Sequence, residues 1–293
     1  MGTLDLVSRN VQYSMYKYTY GNKTYDNIHV FTTKPGTQSI CPAISMKRTS
    51  LANMNPVMAS PKDIIAKTNG NMFEYNKDLF YGFFYQGPDH ELYIDMTRYE
   101  SPDDIPSSCV MFTDWSPKYW PSFCVKNDGT AAIRWFSSKD ALLGALPYCE
   151  CVIASVHALV FDGKSVYNED VYDQDGVLIY DRYGDNKDTS TRHNPNNGSP
   201  TFATGRTLLG HKAGNDGVYI MVCTNNSSSY PNSKMNCEVA SNLMLDLGCD
   251  YAVNMDGGSP LEMRIKDGYG ANGRVTVNSY TAPLFTAVCA YLR

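Results

Sequence analysis

The sequence predicts an α+β fold that is strand-rich, with mixed sheets and a few packed helices. Three observations carry that expectation. Six Asp-Gly pairs, beginning at Asp128, Asp162, Asp175, Asp216, Asp256 and Asp267, punctuate the chain, and several fall between apolar runs, as in β-hairpins. Tyrosine is abundant, at 22 residues against 3 Trp, which suits strands. Only one segment carries a clear helical stripe.

Strands are expected over residues 27–32, 91–95, 152–161, 218–224, 251–255, 261–265, 274–279 and 284–292. In Leu261-Glu-Met-Arg-Ile the apolar residues alternate with charges, which predicts one wet face. The clearest helix runs over 237–247, where Val239, Ala240, Leu243, Met244 and Leu247 form an i, i+4 stripe. Asn236 can cap its start, Glu238 sits in its first turn and Gly248 supplies the stop. Weaker helical patterns cover 60–67 and 138–146. Residues 1–26 read as an N-terminal extension, and 27–293 as one domain with a polar insertion at 164–201. An irregular stretch of that length suggests a lid or a binding loop. Its Asp173, Asp175, Asp181, Asp185 and Asp188 lack the spacing of a Ca²⁺ loop.

Bulk properties exclude several classes. A chain of 293 residues, 43% hydrophobic and 19% charged, can bury a full core. A net charge of −5 argues against nucleic-acid or anionic-membrane partners. The longest nearly apolar run, 151–161, is too short to span a bilayer and contains His157. The first residues lack the basic and apolar regions of a secretory signal, so a cytoplasmic or phage-associated location is expected. Nine cysteines without a Cys-x-x-Cys pair are expected to be reduced and buried. Oligomeric state leaves no sign in the sequence.

The most informative stretch is Tyr251-Ala-Val-Asn-Met-Asp-Gly-Gly-Ser. An apolar strand ends in one carboxylate, Asp256, followed by glycines that let a ligand approach main-chain N–H groups. The competing reading is a tight Asp-Gly hairpin turn.

Helix, Gly248, strand and Asp256-Gly-Gly, in that order, resemble the C-terminal signature of the phosphodiester glycosidase family. Earlier segments resemble the family in the expected order: Ile65-Ala-Lys-Thr-Asn-Gly-Asn-Met-Phe, Ala154-Ser-Val-His-Ala-Leu-Val-Phe-Asp-Gly-Lys, and Thr204-Gly-Arg-Thr-Leu-Leu-Gly with the hairpin Asn215-Asp-Gly-Val-Tyr-Ile-Met-Val. Together they cover roughly residues 27 to 290. Ser259 and Pro260 stand where the family usually has Gly and Ser, and Gly70-Asn71-Met72-Phe73 replaces its Gly-Gly-Phe segment.

The resemblance implies cleavage of a sugar from a sugar-1-phosphodiester in a glycan, glycolipid or cell-wall polymer, with a carbohydrate phosphodiester as partner. Such a reaction needs a carboxylate for the cationic sugar face and donors for the departing phosphate. Asp256 is assigned the first role, as base, nucleophile or electrostatic stabiliser, with Glu238 the second acidic candidate. Arg206, with its planar fork, and Thr207 are the expected phosphate ligands. Asn69, Gly70, Gly257, Gly258 and Ser259 are expected to contact substrate, with His157 and His211 as further candidates. Duller readings stand beside these: Asn69-Gly70 as a turn, Arg206 as a surface ion pair, Glu238 as a helix-dipole partner and His157 as a core histidine. No cofactor is required by this chemistry, with a divalent cation (Ca²⁺ or Mg²⁺) as the alternative. Two other functions compete: a catalytically silent carbohydrate-binding or phage structural module of the same fold, and an intracellular nucleotide or nucleotide-sugar phosphodiesterase.

Overall fold

The computed structural model describes residues 1–56, 59–71, 73–74, 79–80, 82–87, 92–94, 120–179, 201–258, 261–271, 273–275 and 284–293. An eight-stranded sheet has the order Thr3–Asn10, Tyr13–Tyr20, Lys23–Thr32, Tyr219–Cys223, Thr207–Lys212, Cys249–Asn254, His157–Phe161 and Lys164–Ser165. A five-stranded sheet runs Ala131–Arg134, Ser122–Lys126, Cys149–Ala154, Phe83–Gln86 and Leu92–Ile94. A second five-stranded sheet runs Gly273–Arg274, Met263–Ile265, Ile64–Asn69, Leu284–Leu292 and Gln38–Thr49. A short hairpin pairs Phe73–Glu74 with Leu79–Phe80.

The three large sheets share one core, to which they contribute Phe31, Met221 and Val253, then Phe123 and Ile153, then Ala66 and Val288. Period-2 alternation explains how central strands of the eight-stranded sheet serve two cores. Leu209 and Val253 face the shared core, while their neighbours Leu208 and Ala252 face the helix Cys237–Asp246. That helix begins as expected: Asn236 Oδ1 accepts from Val239 N at 2.9 Å. It ends at Gly248, whose φ of 89° belongs to the left-handed region that glycine tolerates. A second helix, Lys139–Ala145, lies within the expected 138–146 and is capped by the Ser138 side chain.

The Asp-Gly pairs sort cleanly. Those at Asp128, Asp162, Asp216 and Asp267 join antiparallel neighbours, and the one at Asp175 turns the Tyr172–Leu178 bridge. At Asp256 the hairpin reading fails, because the strands on either side, Cys249–Asn254 and Met263–Ile265, belong to different sheets. Asp173 closes the Asp175 turn, its Oδ1 accepting from the N–H groups of Asp175 and Val177.

Three expectations are corrected. Residues 60–67 form a 3₁₀ turn, Pro61–Asp63, and then the strand Ile64–Asn69, not a helix. Ile64 and Ile65 are β-branched, and the strand lies between two others and is buried on both faces. The single strand expected over 152–161 is two strands in different sheets. The break falls at Ser155, whose N–H bonds Pro121 O, and Val156, whose N–H bonds Asn254 O. The wet face expected at 261–265 is not wet at Glu262, which is buried. The strand expected over 91–95 is found as Leu92–Ile94. Of 274–279, Gly273–Arg274 is strand and 276–279 lies outside the described residues, as does the 180–200 part of the polar insertion.

The eight described cysteines are all free and buried. No helix among the described residues is long and apolar enough to cross a membrane.

Asn236→Ala removes the cap of the helix that covers the eight-stranded sheet. It should lower stability by about 1 kcal/mol, read as a shifted urea midpoint at unchanged slope.

Candidate active site

The strand Cys249–Asn254 lies between Thr207–Lys212 and His157–Phe161, so its end is held from both sides. Met255 N makes one more rung, to Thr207 O at 2.8 Å, and then the chain leaves the sheet. Asp256 N donates to Gly70 O at 3.0 Å, which stitches the acid to the end of Ile64–Asn69 in the second five-stranded sheet. Asp256 therefore sits where these two sheets meet, 8% exposed. Gly257 must be glycine because a Cβ there would lie 2.5 Å from the Gly205 carbonyl oxygen, and Gly258 adopts a φ of 76°.

Asn69 locks the junction. Its side chain is fully buried. Nδ2 donates to Asp256 O at 2.9 Å, while Oδ1 accepts from Thr207 Oγ1 at 2.6 Å and from Glu262 N at 3.4 Å. Thr207 is equally buried, and its hydroxyl proton is spent on that bond. Arg206 is 2% exposed. It donates from Nε to Met235 O at 3.1 Å and from Nη2 to Phe202 O at 2.6 Å, so it ties the 202–206 segment to the segment ahead of the helix. The glycine N–H groups are also engaged: Gly257 N with Asp256 Oδ1 at 2.7 Å, Gly258 N with Gly205 O at 3.2 Å.

Electrostatics single out Asp256. Burial raises its pKa from the ordinary 3.8 to about 7, against the opposing pull of the Gly257 N–H and the Arg206 charge. Loss of hydration outweighs a nearby guanidinium, so the carboxyl exchanges its proton near neutrality.

The structure thus brings together Asn69, Gly70, Arg206, Thr207, Asp256, Gly257 and Gly258. His157 lies one strand over, on the helix face, where its ring contacts Asn254 Nδ2 at 3.2 Å and Cys237 Sγ at 3.7 Å. His211 is four residues from Thr207 on the same strand, roughly 13 Å away, and pairs with Asp250 at 2.8 Å. Glu238 is exposed and accepts from Tyr20 OH at 3.1 Å, so the expected carboxylate pair with Asp256 is not formed through it. Ser259 lies outside the described residues. Sequence reasoning missed Glu262, a buried acid against Asn69 whose Oε1 accepts from Arg264 Nε at 2.5 Å. Its i, i+2 spacing from Arg264 was the available signal. Among the described residues no three His, Cys, Asp or Glu side chains converge as a metal-ligating set.

The fold is similar to those of solved structures. The catalytic domain of zebrafish N-acetylglucosamine-1-phosphodiester alpha-N-acetylglucosaminidase, auto-inhibited by its pro-peptide, matches 100% of this chain and 83% of its own at TM-score 0.58 and 14% identity. A hypothetical protein from Synechocystis matches 99% of this chain at TM-score 0.56 and 11% identity, and this chain spans 64% of that one. No curated protein matches by sequence. The sequence pattern of the phosphodiester glycosidase family matches residues 62–283. The chain belongs to that family.

Two outcomes follow from this geometry. Asn69→Ala leaves the Asp256 carbonyl, the Thr207 hydroxyl and the Glu262 N–H without their buried partner, and should cost about 2–4 kcal/mol in chemical denaturation. Asp256 holds its proton more tightly folded (about 7) than at its ordinary value of 3.8. The stability of the neutral form is therefore complete below about pH 4 and is lost as pH rises towards about 7. Asp256→Asn should remove that loss, gaining up to ~4 kcal/mol over wild type at alkaline pH and little in acid. Parallel stability–pH curves for the two proteins would refute the assignment.

Proposed function

We propose that the protein is a hydrolase that releases a sugar from a sugar-1-phosphodiester, with Asp256 acting on the sugar face. The observation that carries this reading is the buried Asp256 carboxyl, which titrates near neutrality at the glycine-bordered end of a central strand. In the reaction, water attacks the anomeric carbon, the bond from that carbon to the bridging oxygen breaks, and its electron pair leaves with the phosphate monoester. Positive charge on the sugar ring is met by the Asp256 carboxylate, which as base takes the proton of the attacking water; as nucleophile it would instead attack that carbon first, and water would cleave the resulting glycosyl ester. A phosphate monoester is a good leaving group, so a strong general acid is less necessary.

Arg206, Asn69 and Thr207 are positioning residues in this scheme. Their polar atoms hold the Asp256 loop, and Arg206 keeps the carboxyl from rising further out of range. One observation favours the binding-module alternative: the Gly257 and Gly258 N–H groups, expected to receive the phosphate, are bonded within the protein.

Asp256→Asn discriminates the two. Sugar and phosphomonoester release from a panel of sugar-1-phosphodiesters should fall by at least ~10³-fold in the variant. In wild type, kcat/KM should rise with pH to a plateau above about 7, because the working form is the carboxylate. Glycan binding without release by wild type would favour the binding module, and a profile that falls above neutrality would make Asp256 a general acid.

A further inference from the structure

Two thiols meet on the first five-stranded sheet, on the face turned away from the shared core. Cys124 lies on Ser122–Lys126, and Cys149 opens the neighbouring antiparallel strand Cys149–Ala154. Cys124 stands opposite Val152, and Val125 opposite Cys151. The register then slips by one residue, so that Lys126 faces Cys149 and Glu150 is the extra residue of a bulge. Without the bulge, alternation would put Glu150 on the face of Cys124 and turn Cys149 to the other. With it, Cys149 joins Cys124, Val152 and Leu142 in one apolar cluster, and its thiol is in hydrogen-bonding contact with that of Cys124. Glu150 bonds Tyr291 and Arg293 instead.

The two thiols are not alike. The hydrogen bond with Cys124, and then the charges of Arg134 and Lys126, hold Cys149 below the ordinary thiol value of 9.0 against the opposing effect of burial. The same hydrogen bond and burial push Cys124 well above that value. Cys149 is 5% exposed and follows Tyr148, an exposed residue, whereas Cys124 is 1% exposed. One thiol is thus reachable and held towards its thiolate, with a second behind it in position to resolve an oxidised sulfur. A second register pair of thiols, Cys41 opposite Cys289, has neither property: both are fully buried, and burial raises both.

We propose that Cys149 and Cys124 are a redox-active pair, which a hydroperoxide converts to a disulfide across the two strands. The Cys149 thiolate attacks the peroxide: an S–O bond forms, the O–O bond breaks, and the departing hydroxide takes up a proton to become water. The product is a sulfenic acid at Cys149. The Cys124 sulfur then attacks the Cys149 sulfur, the S–S bond forms, the S–O bond breaks, and water leaves with the Cys124 proton. The thiols lose two electrons and the peroxide gains them. The new bond closes the stretch of chain that carries the strand Ala131–Arg134 and the helix Lys139–Ala145. It does not depend on the hydrolase reading, because neither thiol is among the residues gathered at Asp256.

The test treats the full-length wild type with hydrogen peroxide, digests it without reduction and maps the peptides by mass spectrometry. The peptides that carry Cys124 and Cys149 should be found joined, two hydrogens lighter than the separate pair, before Cys41 or Cys289 is modified. The urea midpoint of the oxidised protein should rise by roughly 1 M and fall back on treatment with a thiol reductant. In Cys124→Ser, peroxide should carry Cys149 on to the sulfinic acid and give no gain in midpoint. Absence of the 124–149 link, a Cys41–Cys289 link formed first, or an equal gain in the oxidised Cys124→Ser protein would each overturn the proposal. The peptide map is read on wild type, so it decides the matter even where the variant does not fold.

Discussion

The structure depends on one buried amide. Asn69 ends a strand of one sheet, yet its side chain bonds the Asp256 carbonyl after the end of a strand in another, the Thr207 hydroxyl at the start of a third strand, and the Glu262 N–H on the returning chain. Sheets pack through apolar faces, and such packing tolerates sliding of a fraction of an ångström. Hydrogen bonds at 2.6 and 2.9 Å inside a dry junction do not, because an unmet polar group there costs 1–3 kcal/mol by usual measure. The amide therefore sets where two sheets stop relative to one another. Asp256 inherits that position, since its own N–H and C=O are both bonded to residues 69 and 70.

The proton affinity of Asp256 follows from the same junction. An acid at a strand end on a protein surface would stay hydrated and titrate in the ordinary carboxylate range. Here the Gly205, Gly257 and Gly258 backbones pack closely enough that added Cβ atoms at 205 and 257 would clash, and that closeness excludes water. Arg206 might have been expected to restore an ordinary value, but its guanidinium is turned to the Phe202 and Met235 carbonyls. Its charge is felt by Asp256 and loses to burial. One residue thus anchors a loop and moderates an acid.

What the sequence made legible was local. The helix over 237–246 was readable from its stripe, its asparagine cap and its glycine stop, all between Asn236 and Gly248. Most Asp-Gly hairpins were readable because the turn chemistry lies in two adjacent residues. The failures share a different cause. Residues 60–67 have neighbours on two strands that come from positions 263–265 and 284–292, and it is those partners that make the segment a strand. Residues 152–161 look continuous, yet Pro121 and Asn254 pull the chain into different sheets on either side of Ser155. Glu262 reads as exposed because its alternation is polar, and it is buried because Asn69 and Arg264 supply its partners.

The candidate site shows the same division between residue type and residue use. Asn69, Arg206, Thr207 and the two glycines were identifiable as belonging together because their segments resemble, in order, the motifs of one family. Their donors could not be assigned to a ligand from type alone, since a buried junction has the same need for amides, hydroxyls and guanidinium groups as a ligand has. Arg206 is a positive charge buried among the Met235 and Phe202 carbonyls. The pairing of Lys67 with Arg264 was invisible in sequence because the two are about two hundred residues apart.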